Sequence, residues 1–181
     1  MQWVAVVAMI VAAEAPVTKE NDALKKALAS RDPVALAAAA RDLDRAASLL
    51  APLEVLDGQA LSTPPAGLGL YDPLPNGVVR SEEIYLYAQV RNHTRRSLPG
   101  GWYELHLVSD LVMLDASGNE IARDTAFGES RFTARAEHRD TFIAIALRVK
   151  GLPAGAYRVR LVVHDEPSGR VGQTEIPFSM P

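Results

Sequence analysis

A strand bounded by two tight turns, residues 151–170 (GLPAGAYRVRLVVHDEPSGR), constrains the fold of this chain more than any other segment. Residues 152–155 (LPAG) place Pro at the second turn position and Gly at the fourth, as suits a type I turn. Residues 166–169 (EPSG) repeat the arrangement. From Tyr157 to Val163 every second residue is apolar. The pattern predicts a half-buried antiparallel strand whose register is fixed by turns at both ends.

Further segments rich in β-branched and aromatic residues lie on both sides of this strand, and turn signals separate them at the spacing of an all-β sandwich. Tyr157 directly follows a turn, and it resembles the tyrosine corner of immunoglobulin-like sandwiches, in which the ring is buried and the hydroxyl bonds upstream backbone. We therefore expect a mainly β chain with an immunoglobulin-like antiparallel β-sandwich of about seven strands. The expected strands are a short one near Tyr71 and residues 82–92, 102–115, 120–127, 139–150, 157–165 and 171–180.

A helical pattern precedes the strands, from Val17 to about Leu56. Asp32 and Pro33 are residue types preferred at an N-cap and at the first helical position, so a helix is predicted to begin there. Its apolar residues recur at spacings of four and three along one narrow, alanine-rich face, and Pro52 ends it. Such a helix needs a packing partner. The stripe consists of Leu36, Ala40, Leu43, Ala47 and Leu50.

The outer face of residues 139–150 offers a surface for that helix, because Phe142, Ala144 and Ala146 make it half apolar, which is unusual for a solvated sheet. We expect the helix to dock there, with its acidic residues close to a basic patch. The alternative is that the helix uses its stripe on a partner, which leaves the outer face as a second binding surface. The patch consists of Arg148, Lys150, Arg158 and Arg160.

The N-terminus carries an apolar run from Trp3 to Ala13, too short to span a bilayer but suited to the core of a signal peptide. Val11 and Ala13 are small enough for the −3 and −1 positions of a cleavage site, although no Lys or Arg precedes the run. A buried strand or a misassigned start codon are the alternatives. We expect a periplasmic or secreted protein, or a cytoplasmic one if the run is not a signal peptide.

These patterns predict four regions: a signal peptide at residues 1–15, a helical segment at 16–57, a linker at 58–66 and the sandwich at 67–181. The linker is predicted from its Pro and Gly content. No segment of the mature chain is expected to span a membrane.

The composition and the motifs of the chain argue against nucleic-acid binding, metal binding and the common types of catalytic site. The net charge of −3 gives no attraction for nucleic acid, and the absence of Cys excludes disulfides and thiolate nucleophiles. The histidines lack metal-ligand spacing, and residues 138–140 (HRD) lack the Asn that a kinase catalytic loop requires. No nucleotide or hydrolase motif occurs. We expect no metal, no cofactor and no catalytic residue. The histidines are His93, His106, His138 and His164.

Two sets of residues carry the remaining hypotheses. Asp110 lies inside an apolar segment, and its carboxylate either bonds backbone at an edge or bulge, or, as Glu104 could, serves as acid or base of a hydrolase. Four aromatic side chains either pack in the core or form a platform for a sugar. They are Trp102, Tyr103, Tyr85 and Tyr87.

Several segments resemble, in their order along the chain, a group of uncharacterised exported bacterial proteins with a leading helical segment and a C-terminal β-sandwich. They are GLGLY (67–71), YLYAQVRN (85–92), LDASG (114–118), RDTFIA (139–144), residues 152–173 and PFSM (177–180). The resemblance covers about residues 67–181 and implies the fold and an exported location, but no activity. It is lost at residues 91–101 (RNHTRRSLPGG), a loop where ligand specificity could reside.

We therefore expect a non-catalytic, exported interaction or structural module of the bacterial envelope, whose partner is another envelope protein or a polysaccharide. The alternative is a carbohydrate-binding module that uses the four aromatic residues. A hydrolase is the third hypothesis.

Overall fold

The computed structural model describes residues 4–135 and 139–181, with side chains from residue 17 onward. The chain divides into two compact units, Met1–Ala51 and Pro52–Pro181. His138 and the first three residues of the predicted signal peptide lie outside the described residues.

The first unit is a pair of helices, α1 (Val4–Ser30) and α2 (Pro33–Leu50). The predicted start of α2 is confirmed, because Asp32 is its N-cap and accepts hydrogen bonds from the N–H groups of Val34 (2.9 Å) and Ala35 (3.3 Å). The buried side chains of α2 are Ala39 and Ala46, seven residues apart on one face. Because these side chains are small, α2 can approach α1 closely. Docking of α2 on the sandwich stays a prediction.

In the second unit the described residues form a 3₁₀ turn (Pro75–Gly77) and eight strands. Adjacent strands within each sheet pair antiparallel. The strands are β1 (Glu54–Leu61), β2 (Glu83–Arg91), β3 (Arg96–Leu98), β4 (Trp102–Leu114), β5 (Glu120–Ala134), β6 (Asp140–Arg148), β7 (Gly155–Asp165) and β8 (Arg170–Met180).

The strands form two sheets, with the order β1-β2-β6 in one and β3-β4-β7-β8 in the other, where β5 also pairs with β4. One core lies between them, because Leu86 and Ile145 of the first sheet belong to the same buried cluster as Leu107 and Leu161 of the second. The chain changes sheet between β2 and β3, between β5 and β6 and between β6 and β7, so both sheets are built from strands distant in sequence, as in immunoglobulin-like sandwiches. The predicted fold class is confirmed.

The predicted strand between two turns is β7. Its inward residues Tyr157, Val159, Leu161 and Val163 are buried, whereas the alternate residues are half-buried. The Tyr157 hydroxyl donates a hydrogen bond to the Pro153 carbonyl at 2.9 Å, and its ring stacks on Phe178 with centroids 5.6 Å apart. The tyrosine corner expected from the sequence is therefore present.

The structure differs from the sequence-based boundaries at β1, which occupies residues assigned to the helical segment and the linker. Gly58 contributed to the glycine content from which a linker was predicted. In the structure a Cβ at this position would lie 2.9 Å from Ile176 Cγ1 of β8. Glycine is needed because two strands come close together. The second unit therefore begins at Pro52 rather than at residue 67. Near Tyr71 an isolated bridge, Gly67 to Leu70, replaces the expected strand.

Candidate functional site

Strand β5 is an edge of its sheet. Among the described strands it pairs with β4 alone, so the N–H and C=O groups along its other edge have no strand partner. Three large apolar side chains of β5 are exposed, Ile121 (49%), Phe127 (41%) and Phe132 (43%). Unpaired backbone beside exposed apolar side chains is the arrangement to which another extended chain can add.

Charged side chains on an edge strand normally discourage such pairing, but four of those on β5 are engaged within the molecule. Arg123 forms a bidentate pair with Glu120, with nitrogen–oxygen distances of 2.9 and 2.6 Å. Glu129 lies 2.9 Å from His106 Nε2. Arg131 binds the buried carboxylate of Glu104 at 2.8 Å. These contacts reduce the electrostatic protection of the edge.

Glu104, one of the two acid–base candidates, lies on β4 between two arginines. Arg131 and Arg96 both bind its carboxylate. The hydrogen bond from Arg131 lowers the pKa of Glu104, and although burial opposes this, the bond from Arg96 adds to it. The carboxylate is therefore held in its ionised form.

Asp110, the other candidate, holds a bulge in β5. Ser109 pairs with Gly128 and Leu111 with Asp124, so three residues of β5 lie opposite Asp110 alone. Its Oδ1 accepts the N–H of Ala126 at 2.8 Å, and its Oδ2 lies 2.8 Å from His164 Nε2. The predicted backbone bond of the Asp110 carboxylate is therefore confirmed, but Asp110 itself lies on a central strand opposite the bulge, which is in β5.

The same contacts keep Asp110 ionised. Burial raises the pKa of Asp110, but the bonds from the Ala126 N–H and from His164 together outweigh burial, and the pKa is lowered. The backbone at Ala126 has φ +53°, a conformation that a residue with a side chain rarely adopts. The carboxylate thus stabilises a strained position in the edge strand.

Phe127, the last residue of the bulge, lines a cavity of about 250 Å³ at the side of the sandwich. Side chains of both sheets form it, because Leu147 belongs to β6 while Leu111 and Val159 belong to β4 and β7. The cavity is mainly apolar, with Arg123 and Asp124 also in its lining. Its size suits one apolar side chain of a binding partner.

The four aromatic residues predicted as a sugar platform are divided between the two sheets. Tyr85 and Tyr87 lie on β2, whereas Trp102 and Tyr103 lie on β4. Tyr87 is buried, with 1% of its surface exposed. Its hydroxyl accepts a hydrogen bond from the Gly69 N–H at 2.9 Å, and the centroids of the Tyr87 and Tyr71 rings are 4.4 Å apart. Trp102 is 36% exposed and stacks under the Arg135 guanidinium at 4.6 Å.

The predicted basic residues are also divided. Arg158 and Arg160 lie side by side on β7 and share the Glu175 carboxylate, at 3.2 and 2.9 Å. Arg148 ends β6 in the other sheet, and Lys150 beyond it pairs with Glu82 at 2.9 Å.

A second, larger cavity of about 460 Å³ lies where β7 begins and β8 ends. Its lining comes from four separate stretches of chain and includes Asn76, Asp115, Arg158 and Ser179. No local sequence pattern predicts this cavity, because the stretches that line it lie far apart in the chain.

The loop at residues 91–101 is fixed at its base. Asp165, which is fully buried, accepts the Thr94 N–H at 2.9 Å, and Arg170 donates to the Asn92 carbonyl at 2.6 Å. His93 between them is 2% exposed. Burial, aided by Arg95, lowers the pKa of His93 despite the opposing influence of the Thr94 backbone and Asp165.

Within the described ranges, no group of three or more His, Asp or Glu side chains is arranged to hold a metal ion. None of the described helices has the length and hydropathy needed to cross a membrane.

No family model and no curated protein matches this chain. Solved structures with a similar arrangement include a β-glucuronidase from glycoside hydrolase family 2 (11% identity, TM-score 0.38), which is matched over 71% of this chain and 13% of the enzyme. A family 2 glycosyl hydrolase from Bacteroides cellulosilyticus is similar over 71% of this chain and 14% of its own, at 13% identity and a TM-score of 0.37. The chain thus spans a small part of these enzymes, and similarity at this level carries no inference about activity.

Proposed function

We propose that this protein is a non-catalytic interaction module of the bacterial envelope, and that its sandwich binds an extended segment of another envelope protein along β5. The observation that carries the proposal is the long edge strand with its exposed Ile121, Phe127 and Phe132. Main-chain hydrogen bonds to the edge would supply affinity, and alternate side chains of the partner would supply specificity. One of them would enter the cavity beside Phe127.

The lowered pKa values of Glu104 and Asp110, the two acid–base candidates, support a non-catalytic role. A glycosidase acid needs a carboxyl group that keeps its proton at the working pH, which requires a raised pKa. The pKa values of Glu104 and Asp110 are lowered instead, and both carboxylates already bind groups of the protein. Each serves as a structural hydrogen-bond acceptor.

Export is part of the proposal, and its support is the apolar run from Trp3 to Ala13. We expect the natively expressed protein to begin near Glu14. Mass spectrometry of the purified protein measures this terminus directly, and an intact Met1 would count against cleavage.

Site-specific photo-crosslinking tests the edge. A photoreactive phenylalanine analogue replaces Phe127 or Phe132 in cells that produce the protein natively, and Val171 on β8, itself 54% exposed, serves as the matched control. We expect the same discrete protein adduct from both β5 positions and none from Val171. Equal adducts from Val171, or none from either phenylalanine, would refute binding along β5.

A further inference from the structure

We infer that the 460 Å³ cavity where β7 begins and β8 ends is a binding site for a neutral carbohydrate. Its volume lies within the range of about 300–1,000 Å³ typical of small-molecule pockets. The site is distinct from the β5 edge, since β5 contributes no residue to its lining.

The floor of the cavity is small and apolar. Ala156 is opposite Ser179 in the pairing of β7 with β8, and Arg158 is opposite Pro177, so these four side chains share the outer face of the sheet. Ala156 and Pro177 are exposed. Small side chains at paired positions leave a depression against which the C–H face of a sugar ring can pack.

Polar groups surround this floor. The Asn76 side chain makes no hydrogen bond to the described part of the protein and is exposed. The Ser179 hydroxyl donates to the Gly77 carbonyl over 3.4 Å and keeps its acceptor capacity. Asp115 accepts from the Asn119 backbone at 2.8 Å and from the Asn119 amide at 3.0 Å, which fixes this carboxylate in the turn beside the cavity.

The charges of the lining favour a ligand without net charge. Arg158 pairs at 3.2 Å with Glu175, which it shares with Arg160, and the lining combines this single arginine with a single carboxylate, Asp115. A strongly anionic or cationic ligand would meet one attractive and one repulsive group. A sugar has an apolar ring face and hydroxyls that both donate and accept, so it matches the floor and the rim together.

The cavity is held in shape by contacts of its own. The Tyr157 hydroxyl is bound to Pro153, and the Val79 N–H donates to the Ser179 carbonyl at 2.9 Å, which fixes the stretch after Asn76 against β8. A site that is ordered before binding loses less conformational entropy when a ligand enters.

The test is titration of the ¹⁵N-labelled full chain with cellobiose, maltose and chitobiose, with triglycine as a neutral peptide probe. We expect one of the disaccharides to cause saturable shifts of the amide signals of Gly77, Ala156, Arg158 and Ser179. Saturable shifts with triglycine alone, shifts confined to other residues, or no saturable shift with any disaccharide would overturn the assignment.

Two variants then locate the site. Ala156→Leu fills the floor, and Ala144→Leu is its matched control, because Ala144 is also an exposed alanine of a strand but lies in the other sheet. We expect Ala156→Leu to weaken binding at least about tenfold and Ala144→Leu to leave it unchanged. Asn76→Gly keeps the positive φ of 53° and removes the amide, and should weaken binding about threefold to tenfold. Wild-type affinity in both Ala156→Leu and Asn76→Gly would refute the site.

Discussion

The carboxylate of Asp110 accepts the N–H of Ala126 over 2.8 Å and thereby fixes the conformation of β5 at the position before Phe127. The same carboxylate contacts His164 of β7 on its other oxygen. The bulge of the edge strand is therefore tied to the central strands of the sheet, and the orientation of Phe127 depends on a residue of the neighbouring strand.

Replacing Asp110 with Asn should destabilise the sandwich by about 1–3 kcal/mol, because the neutral amide loses the charge that strengthens the contacts with the Ala126 N–H and with His164. Urea unfolding measures the loss, and hydrogen exchange of the Ala126 amide should become faster. Asp124→Asn, on an exposed residue of β5, is the control and should leave both quantities unchanged. Unaltered exchange at Ala126 in Asp110→Asn would contradict the role of the carboxylate.

Tyr157→Ala should lower the free energy of unfolding by about 3–5 kcal/mol, because a buried ring stacked on Phe178 is lost. Tyr157→Phe removes only the hydrogen bond to Pro153 and should cost about 0.5–1.5 kcal/mol. Tyr85→Phe, which removes an exposed hydroxyl contact to Glu83, should have a smaller effect. Equal urea midpoints for wild type, Tyr157→Phe and Tyr157→Ala would show that the tyrosine corner does not contribute to stability.

Gly172→Ala should destabilise the second unit by about 1–3 kcal/mol, because a Cβ at this position would lie 2.6 Å from the Leu53 carbonyl oxygen. The backbone preceding β1 would have to move away from β8. Gly67→Ala is the matched control, since its Cβ would meet Leu70 Cδ1 at an ordinary 3.5 Å. The two variants are compared by thermal and urea unfolding, and equal stability would show that the close approach relaxes without cost.

The stability of the protein should fall as the pH is lowered from about 7 toward 5. The pKa of His93 is lowered in the folded state, whereas in the unfolded chain it is about 6.5. Below that value the unfolded chain binds more protons than the folded one, so unfolding becomes more favourable, by up to about 1.4 kcal/mol per pH unit. Above it, His93 is neutral in both states and contributes no slope.

His93→Leu should flatten the slope seen in the wild type, because it removes the buried imidazole. Chemical unfolding at half-unit steps of pH gives both slopes. The lowered pKa values of Asp110 and Glu104 confine the contribution of those carboxylates to more acidic solutions. If the unfolding free energy of His93→Leu changed with pH as it does in the wild type, the acid sensitivity would come from other groups.

Features that the sequence predicted correctly are encoded within a few neighbouring residues. The N-cap at Asp32, the alternation along β7 and the corner at Tyr157 each involve groups no more than about one turn or one strand apart. Asp110 combines local and distant information, because a carboxylate inside an apolar strand needs a donor, but that donor, the Ala126 N–H, comes from the neighbouring strand.

Features that the sequence did not reveal depend on distant partners. Gly58 looked like part of a linker because its close neighbour, Ile176, lies on β8. The burial of Tyr87 depends on Tyr71 and Gly69, which cover the outer side of β2. Strand alternation shows which side chains share a face, but it does not show what covers that face. The edge position of β5 is likewise set by the order of strands in the sheet, which no single segment encodes.

The anchoring of residues 92–94 by Asp165 and Arg170 has a consequence for how this molecule can diversify. The stem of the loop is fixed to the β7–β8 hairpin, while its tip at Pro99–Gly101 contains two glycines of positive φ and makes no hydrogen bond to that stem in the described structure. Insertions or randomised sequence at the tip would be tolerated by the framework, because the residues that hold the hairpin are elsewhere. The fold is thus a scaffold on which new recognition surfaces can be selected without renewed selection for stability.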